Sequence, residues 1–427
     1  MDTPTYQRRC AWIVIFILFG GSVVNYIDRA VLAVVKPHLQ KELSLSNTQY
    51  GLAVNVFLMA LMVFSIVGGH FADRFGYRRT FPLAVIFWSI ANMLAGMTRG
   101  LFSLCVFQGL LGIGQGGFYP ISMRAVSEWF SNEDRAKPVG VLMCGISVGN
   151  LLTAPLAAGI ALKFGWRAAF VATGALGLIL VPLWHLAHRR IRKIYGTLDP
   201  APALMGKAKL AAGAPAGITI GEALRTRKFS MILCARVLAD MVWYFYVFWL
   251  PGYFQEARGF DMGMVARLMW IPFFFGDIGA LSGAWTSSAL VRRGYGLNFS
   301  RKIVLVASAS CCIIGASTFL AQSQYLALAL ASLAVFGHLS WGSNLHTVIT
   351  EICPERHVSV LYGITGAAAT LVSGIAQPVI GRVVDSYGYG PAFLGTAGIF
   401  VLAIAMLLGA GKIERIERKQ PPVLAAT

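Results

Sequence analysis

A chain of 427 residues that is 57% hydrophobic and 13% charged, with mean hydropathy +0.67, has too little polar residue to cover a soluble globule of its size. Its formal net charge of +18 does not point to nucleic acid, because the basic residues fall between apolar runs and not along one amphipathic face. The seven cysteines form no pair of CxxC motifs and no Cys/His cluster, so neither a disulfide framework nor a metal site is expected, and no nucleophile and base set marks an enzyme.

The class is therefore an integral membrane protein, with the lipid bilayer as its solvent. A spanning helix needs about 20 mainly apolar residues. Twelve runs meet that length, at 11-35, 48-72, 80-98, 101-129, 139-162, 167-187, 229-255, 263-290, 302-321, 325-350, 359-384 and 390-411. Arg8 and Arg9 precede the first run, which continues too far for a cleavable signal and has no early small-residue cleavage site. Positive charge then recurs at every second connection: Arg74, Arg78 and Arg79; Arg135 and Lys137; Arg189 to Lys228; Arg292, Arg293, Arg301 and Lys302; Arg356; and Lys412 to Lys419. The opposite loops hold less, namely Lys36, Lys41, Arg99, Lys163, Arg167 and Arg258. The positive-inside rule makes the richer side cytoplasmic, with both termini there.

The segment 188-228 is rich in Ala, Pro, Gly and basic residues and reads as a linker. It divides an N-terminal six-helix half, 1-187, from a C-terminal one, 229-411, followed by a tail, 412-427. The halves repeat: Pro155, Gly165, Phe170 and Thr173 recur as Pro378, Gly388, Phe393 and Thr396, each 223 positions later. Two related halves with a site near the midplane are the general plan of alternating-access transporters.

Within the first run, Asn25, Tyr26, Ile27, Asp28 and Arg29 place an acid and a base inside apolar sequence. An ionised residue there costs at least about 3 kcal/mol and usually faces a bundle interior or a wet cavity. Adjacent residues do not face each other on a helix, so Asp28 and Arg29 each need another partner. After the second run comes Gly69, His70, Phe71, Ala72, Asp73, Arg74, Phe75, Gly76, Tyr77, Arg78, Arg79. This resembles the loop signature of the major facilitator superfamily: Gly, three residues, Asp-Arg, a residue, Gly, a residue, and two basic residues. On that basis Gly69, Asp73, Arg74, Gly76 and Arg78 are gating candidates. Gly69 would let another helix approach, Gly76 would allow a tight turn, and Asp73 would bond helix ends or an Arg of the other half. Gly283, Arg292, Arg293 and Gly294 form a weaker echo in the second half.

The resemblance narrows at Asn25 to Arg29, Ala125 to Phe130 with Arg135, Gly165 to Phe170, Arg236 to Pro251, Pro272 to Gly279 and His338 to Asn344. Together these are similar to the anion:cation symporter family, in particular its hexuronate (glucuronate and galacturonate) permease branch. The resemblance implies twelve helices in the major facilitator fold, a proton as coupling ion with no other cofactor, and a small organic anion as substrate. It carries the roles of proton carrier and carboxylate anchor onto Asp28 and Arg29. The chemistry agrees, since Arg offers a fixed fork of donors to a carboxylate and a desolvated carboxyl holds its proton more tightly.

One departure stands out. Where many members of the family have an Arg and, seven residues later, a Glu, this chain has Gln108 and Gln115, two turns apart on one helix face. These either bond substrate hydroxyls and lower the proton stoichiometry, or only pack a helix rich in glycine. In the seventh run Arg236 and Asp240 sit at i, i+4 spacing, either as a structural pair or with Asp240 as a switchable coupling group, and Trp243 and Tyr244 follow as candidates for stacking on a sugar. Asp277 is either a protonated buried acid or a second coupling site. His338, Trp341 and Asn344 form one polar stripe of the tenth run, and Tyr50 and Tyr119 are further candidates for substrate contact.

The expected protein is a monomeric, multi-pass symporter of a bacterial inner membrane that imports a sugar acid with protons. A transporter of a non-sugar carboxylate, such as an aromatic acid, and a membrane sensor that binds an anion without turnover remain open at this point.

Overall fold

The computed structural model describes residues 3–130, 134–195, 219–354 and 357–416. Arg356, the centre of the 188-228 linker and most of the 412-427 tail lie outside them. Among the described residues the fold is all helical, and eleven helices are long and apolar enough to cross a membrane by length and composition. The expected third span is the 19-residue helix Tyr77–Ala95, whose first turn holds Arg78 and Arg79. The chain order is α1 (Thr3–Leu43), α2 (Asn47–Phe75), α3 (Tyr77–Ala95), α4 (Leu101–Gly116), α5 (Phe118–Trp129), α6 (Ala136–Phe164), α7 (Trp166–Tyr195), α8 (Ile220–Leu224), α9 (Arg227–Glu256), α10 (Met262–Leu268), α11 (Ile271–Arg292), α12 (Leu297–Gly315), α13 (Gln324–Ile352), α14 (Val358–Tyr387) and α15 (Tyr389–Gly409). The runs at 101-129 and 263-290, read as single spans, are each broken into two helices. A 3-10 turn at Ala316–Leu320 completes the run at 302-321.

Local chemistry sets several of these ends. Ser46 accepts from the Gln49 backbone while the Gln49 side chain returns to Ser46, a capping box that starts α2. Asp261 and Ser323 cap α10 and α13 in the simpler way. The turns between α2 and α3, α6 and α7, α11 and α12, and α14 and α15 each hold a glycine with positive φ, at Gly76, Gly165, Gly294 and Gly388. A Cβ is strained in that region, so these positions specify the turn. Gly165 and Gly388 are the pair related by the 223-residue repeat, which thus recurs as the same turn between α6 and α7 and between α14 and α15. Phe170 and Phe393 are fully buried three residues before the buried Thr173 and Thr396.

By contacts the chain forms two compact units that interleave in sequence. One comprises 1–208, 244–274 and 373–392, and the other 209–243, 275–372 and 393–427. In the first unit α1 packs on α6 and α7, α2 on α4, and α3 on α4 and α7; in the second α12 packs on α13. The helix pair α2/α4 closes tightly, because a Cβ at Gly112 would strike the Phe57 carbonyl and one at Gly68 would strike the Gly117 backbone.

Lys36 is not in a loop. α1 runs to Leu43, eight residues past the apolar run at 11-35, and the Lys36 ammonium is fully buried. It donates to Glu256 Oε1 at 2.7 Å and to the Tyr389 hydroxyl at 2.9 Å, and Tyr389 donates to Glu256 Oε2 at 2.8 Å. The rings of Trp249, Tyr50 and Tyr389 lie 5.2, 5.4 and 5.5 Å from its nitrogen. Beside it Asp385 caps α2, accepting from the Asn47 and Thr48 backbone at 2.9 and 2.8 Å. Loss of one partner of a buried pair leaves the other charge unsatisfied. Lys36→Ala is expected to cost about 3 kcal/mol, and the neutral pair Lys36→Met with Glu256→Gln to recover most of it, read as thermal unfolding of the detergent-purified protein.

Candidate functional site

The apolar sequence around Asn25 to Arg29 makes α1 helical on both sides of the two charges, and the structure turns them to different neighbours. Asp28 is fully buried, and its Oδ1 accepts from Asn92 Nδ2 of α3 at 2.7 Å, while Oδ2 has no hydrogen-bond partner. Arg29 is 9% exposed. Its Nη2 donates to Asn25 Oδ1 at 3.2 Å and its Nε has no partner. The guanidinium lies over the rings of Tyr26 and Phe57, 4.5 and 5.5 Å from their centroids. The Arg29 guanidinium thus rests against π faces, which attract a cation without consuming its donors.

Gln115 of α4 belongs to the same neighbourhood, and Gln108 lies two turns before it on the same helix. Gln115 Nε2 donates to the Asn25 carbonyl at 3.0 Å, which fixes the turn of α1 that carries Asn25 and Arg29. Gln115 Oε1, Gln108 Nε2 and Asn25 Nδ2 are buried without partners. An unsatisfied buried polar atom costs about 1–3 kcal/mol, so Asn25, Asp28, Arg29 and Gln115, each with such an atom, mark a candidate site for a polar ligand. Tyr50 differs: its hydroxyl donates to the Phe248 carbonyl at 2.8 Å and its ring meets Trp249 edge-on at 5.2 Å. Tyr119 reaches Met143 Sδ at 3.6 Å, and Tyr244 stacks on Phe248 at 6.1 Å.

In the second unit, Arg236 and Asp240 are 3.6 Å apart on α9, as their i, i+4 spacing dictates. Arg236 also donates to Thr365 Oγ1 at 2.7 Å and lies over the Tyr362 ring at 4.6 Å, so the pair is part of a larger α9/α14 contact. Trp243 stacks on His338 with centroids 5.4 Å apart and planes 12° from parallel. His338 and Trp341 both meet Phe400 edge-on. His338 Nδ1, Trp341 Nε1 and Asn344 Oδ1 are buried without partners, whereas Asn344 Nδ2 is held by the Ser340 carbonyl. Asp277 is partly exposed on α11.

The loop signature is built around its glycines and aromatic residues. Gly76 ends α2 and opens α3 with φ +74, as a tight turn requires. Asp73 finds its partner within the first half, at Arg124 Nη1 of α5 (3.6 Å), and Arg124 also bonds Glu128 at 2.8 Å. Arg74 lies over the Phe75 ring at 5.4 Å, and Arg78 donates to the Tyr77 hydroxyl at 3.3 Å. A cavity of about 500 Å³ opens beside them, lined by Arg78, Arg79, His185, His188, Arg189 and Arg192 among others. The close helix approach expected at Gly69 is instead made by Gly68, against Gly117; a Cβ at Gly69 would meet Pro120 at an ordinary 3.5 Å.

A sequence model of the Major Facilitator Superfamily matches residues 18–373. The chain belongs to the major facilitator superfamily. It is 28% identical over 423 residues to the hexuronate transporter of Escherichia coli (strain K12), covering 97% of this chain and 96% of that protein. It is 30% identical to the hexuronate transporter of Bacillus subtilis (strain 168), over 91% and 92% of the two chains. Among solved structures, a bacterial homolog to the human lysosomal transporter Spinster, in an inward-facing and occupied conformation, superposes with TM-score 0.72 at 18% identity, over 93% of this chain and 94% of that one. The protein is thus a multi-pass membrane transporter and not an enzyme, and the similarity to hexuronate permeases read from its motifs extends over nearly the whole chain.

Sequence reasoning passed over Asn92, a single polar residue in an apolar run, and placed Lys36 outside its helix. A buried Asn two turns from the nearest charged residue offers no spacing rule; only its bond to Asp28 identifies it. Overpacking a close contact costs about 1–3 kcal/mol. Gly68→Val is expected to lose that much stability or to abolish folded protein in size-exclusion chromatography, whereas Gly69→Ala stays within about 0.5 kcal/mol of the parent.

Proposed function

We propose that this transporter imports a small sugar acid, a hexuronate or an aldonate, together with protons by alternating access. Its membrane is the bacterial cytoplasmic membrane, it acts as a monomer, and both termini face the cytoplasm. The observation that carries the reading is the state of Arg29. It is a nearly buried guanidinium held by two aromatic rings and one amide, with donors left over, next to a fully buried acid that it does not neutralise.

Arg29 binds the substrate carboxylate through its fork of N–H donors. Gln108 and Gln115 supply the amide atoms that meet hydroxyls, and an unmatched buried amide favours a hydroxylated acid over an apolar one. Asp28 takes a proton on one side of the membrane and releases it on the other. Asp240 and Asp277 are the coupling candidates of the second half, and His338, Trp341, Asn344 and Trp243 are its candidate sugar contacts. The similarity to proteins named hexuronate transporters supports the substrate class.

Uptake into proteoliposomes across a panel of hexuronates, aldonates and aromatic acids, with and without an imposed pH gradient, tests this. Sugar-acid accumulation that requires the gradient is expected. Preference for an aromatic acid, or binding without flux, decides against it. Arg29→Ala is expected to weaken substrate binding at least about 30-fold, the scale for removing one partner of a buried charged contact. Asp28→Asn is expected to retain exchange and to lose gradient-driven accumulation; full accumulation by that variant overturns the coupling role of Asp28.

A further inference from the structure

Asn92 is fully buried on α3, and its amide nitrogen has three acceptors in reach: Asp28 Oδ1 at 2.7 Å, Thr173 Oγ1 at 2.8 Å and the Phe170 carbonyl at 3.2 Å. Two hydrogens serve these three, one toward α1 and one toward α7. On the far side Asn92 Oδ1 and Asp28 Oδ2 are both buried without a hydrogen-bond partner. The Phe170 and Thr173 that seat the amide are the residues the internal repeat singles out.

The two protonation states of Asp28 make opposite demands. An ionised carboxylate only accepts, so Asn92 must present its NH₂, as it does here. A protonated carboxyl donates. An amide turned by half a revolution about its last torsion then presents Oδ1 to Asp28, and the Thr173 hydroxyl turns to donate to the same oxygen. Amide and hydroxyl each donate and accept, so the bond to Asp28 is kept in both states, while the Phe170 carbonyl, which only accepts, gives up the longest of the three contacts in the turned state.

Charges that would compete lie elsewhere on the surrounding elements. α4 carries none; α3 has Arg78 and Arg79 in its first turn; α5 has Arg124 bonded to Glu128; α6 has Lys137 and Lys163 at its two ends. α7 has Arg167 at its start, paired with Glu42, and a basic run from His185 at its end. On α1 itself Arg29 turns to Tyr26 and Phe57.

We propose that Asn92, seated by Thr173 and Phe170, is a positioning residue that holds Asp28 in both protonation states, its amide turning over as the proton is taken up and released. This rests on the reading of Asp28 as proton carrier. The proton arrives from water on one side of the membrane, stays on Asp28 as a neutral acid, and leaves to water on the other.

The test is the pH profile of radiolabelled glucuronate exchange and uptake in proteoliposomes for the parent, Asn92→Leu, Asn92→Asp, Thr173→Val and Thr173→Ser. Asn92→Leu takes a strong bond from the carboxylate and a weaker one from the neutral acid, so its profile is expected to move toward alkaline pH by about one unit, the difference between a hydrogen bond to a charged group and one to a neutral group. Asn92→Asp moves it further, since two carboxyls then contend for one proton. Thr173→Val moves it in the same direction by less, and Thr173→Ser leaves it unchanged. A purely structural Asn92 lowers yield or rate with the midpoint fixed, and that result in Asn92→Asp and Thr173→Val overturns the proposal even where Asn92→Leu does not fold. Undiminished accumulation by Asp28→Asn brings down the proton-carrier reading itself. Loss of accumulation in Asp28→Asn together with unshifted Asn92 variants brings down this inference alone.

Discussion

Asp28 and Arg29 stand about 100° apart around one helix, and that angle governs their surroundings. Neither can neutralise the other, so each recruits its own support. On the acid side the path runs from the Phe170 carbonyl and Thr173 through Asn92 to Asp28. On the base side it runs from Gln115 through the Asn25 backbone, and from Gly112 through the Phe57 carbonyl that it admits, to the ring beneath the guanidinium. The glycines of α4 thereby act at a distance. A side chain at Gly112 would push Phe57 away and take with it one of the two faces that steady Arg29.

Three charged residues of α1 face three different solutions to burial, and the differences separate structure from function. Lys36 has an anion, a hydroxyl and three rings around its ammonium, and Glu256 and Tyr389 close the ring of bonds. A charge so completely satisfied has nothing left to offer a ligand, and its place is to join α1 to α9 and α15. Arg29 is the reverse, bonded by one amide and cushioned by two rings. Asp28 lies between these cases, with one oxygen held and the other bare. In a low-dielectric interior an unpaired polar atom is costly, and α1 carries three of them within about one turn, Asn25 Nδ2, Asp28 Oδ2 and Arg29 Nε.

Much of this was legible in the amino-acid order. Apolar runs marked the helices because a bilayer demands about 20 such residues, and Gly76 read as a tight turn and takes positive φ, whereas Gly165, Gly294 and Gly388 stood out only as repeated or echoed positions until their φ values were seen. Asp28 and Arg29 announced themselves as charges in apolar sequence. What hid was whatever depends on a partner distant in the chain. Lys36 looks like the end of a helix until Glu256, 220 positions away, is brought against it. Asn92 looks like a minor interruption of α3 until α1 and α7 meet it. Gly68 and Gly69 are indistinguishable in sequence, and only the direction of each missing Cβ shows which one touches α5's neighbour Gly117.

The glutamines at 108 and 115 give the site its character. A charged pair in their place would hold its own partners and leave few free hydrogen-bonding atoms. Two neutral amides on one helix face instead leave a donor at Gln108 and an acceptor at Gln115 unspent, while the second amide still braces α1 through Asn25. A hydroxyl both donates and accepts, so it is able to meet either atom, whereas an apolar ring meets neither. α4 carries no charge, so the proposed recognition of a carboxylate rests on Arg29. On the proposed reading the two tasks separate: Arg29 meets the carboxylate, and the amides meet the rest of the molecule.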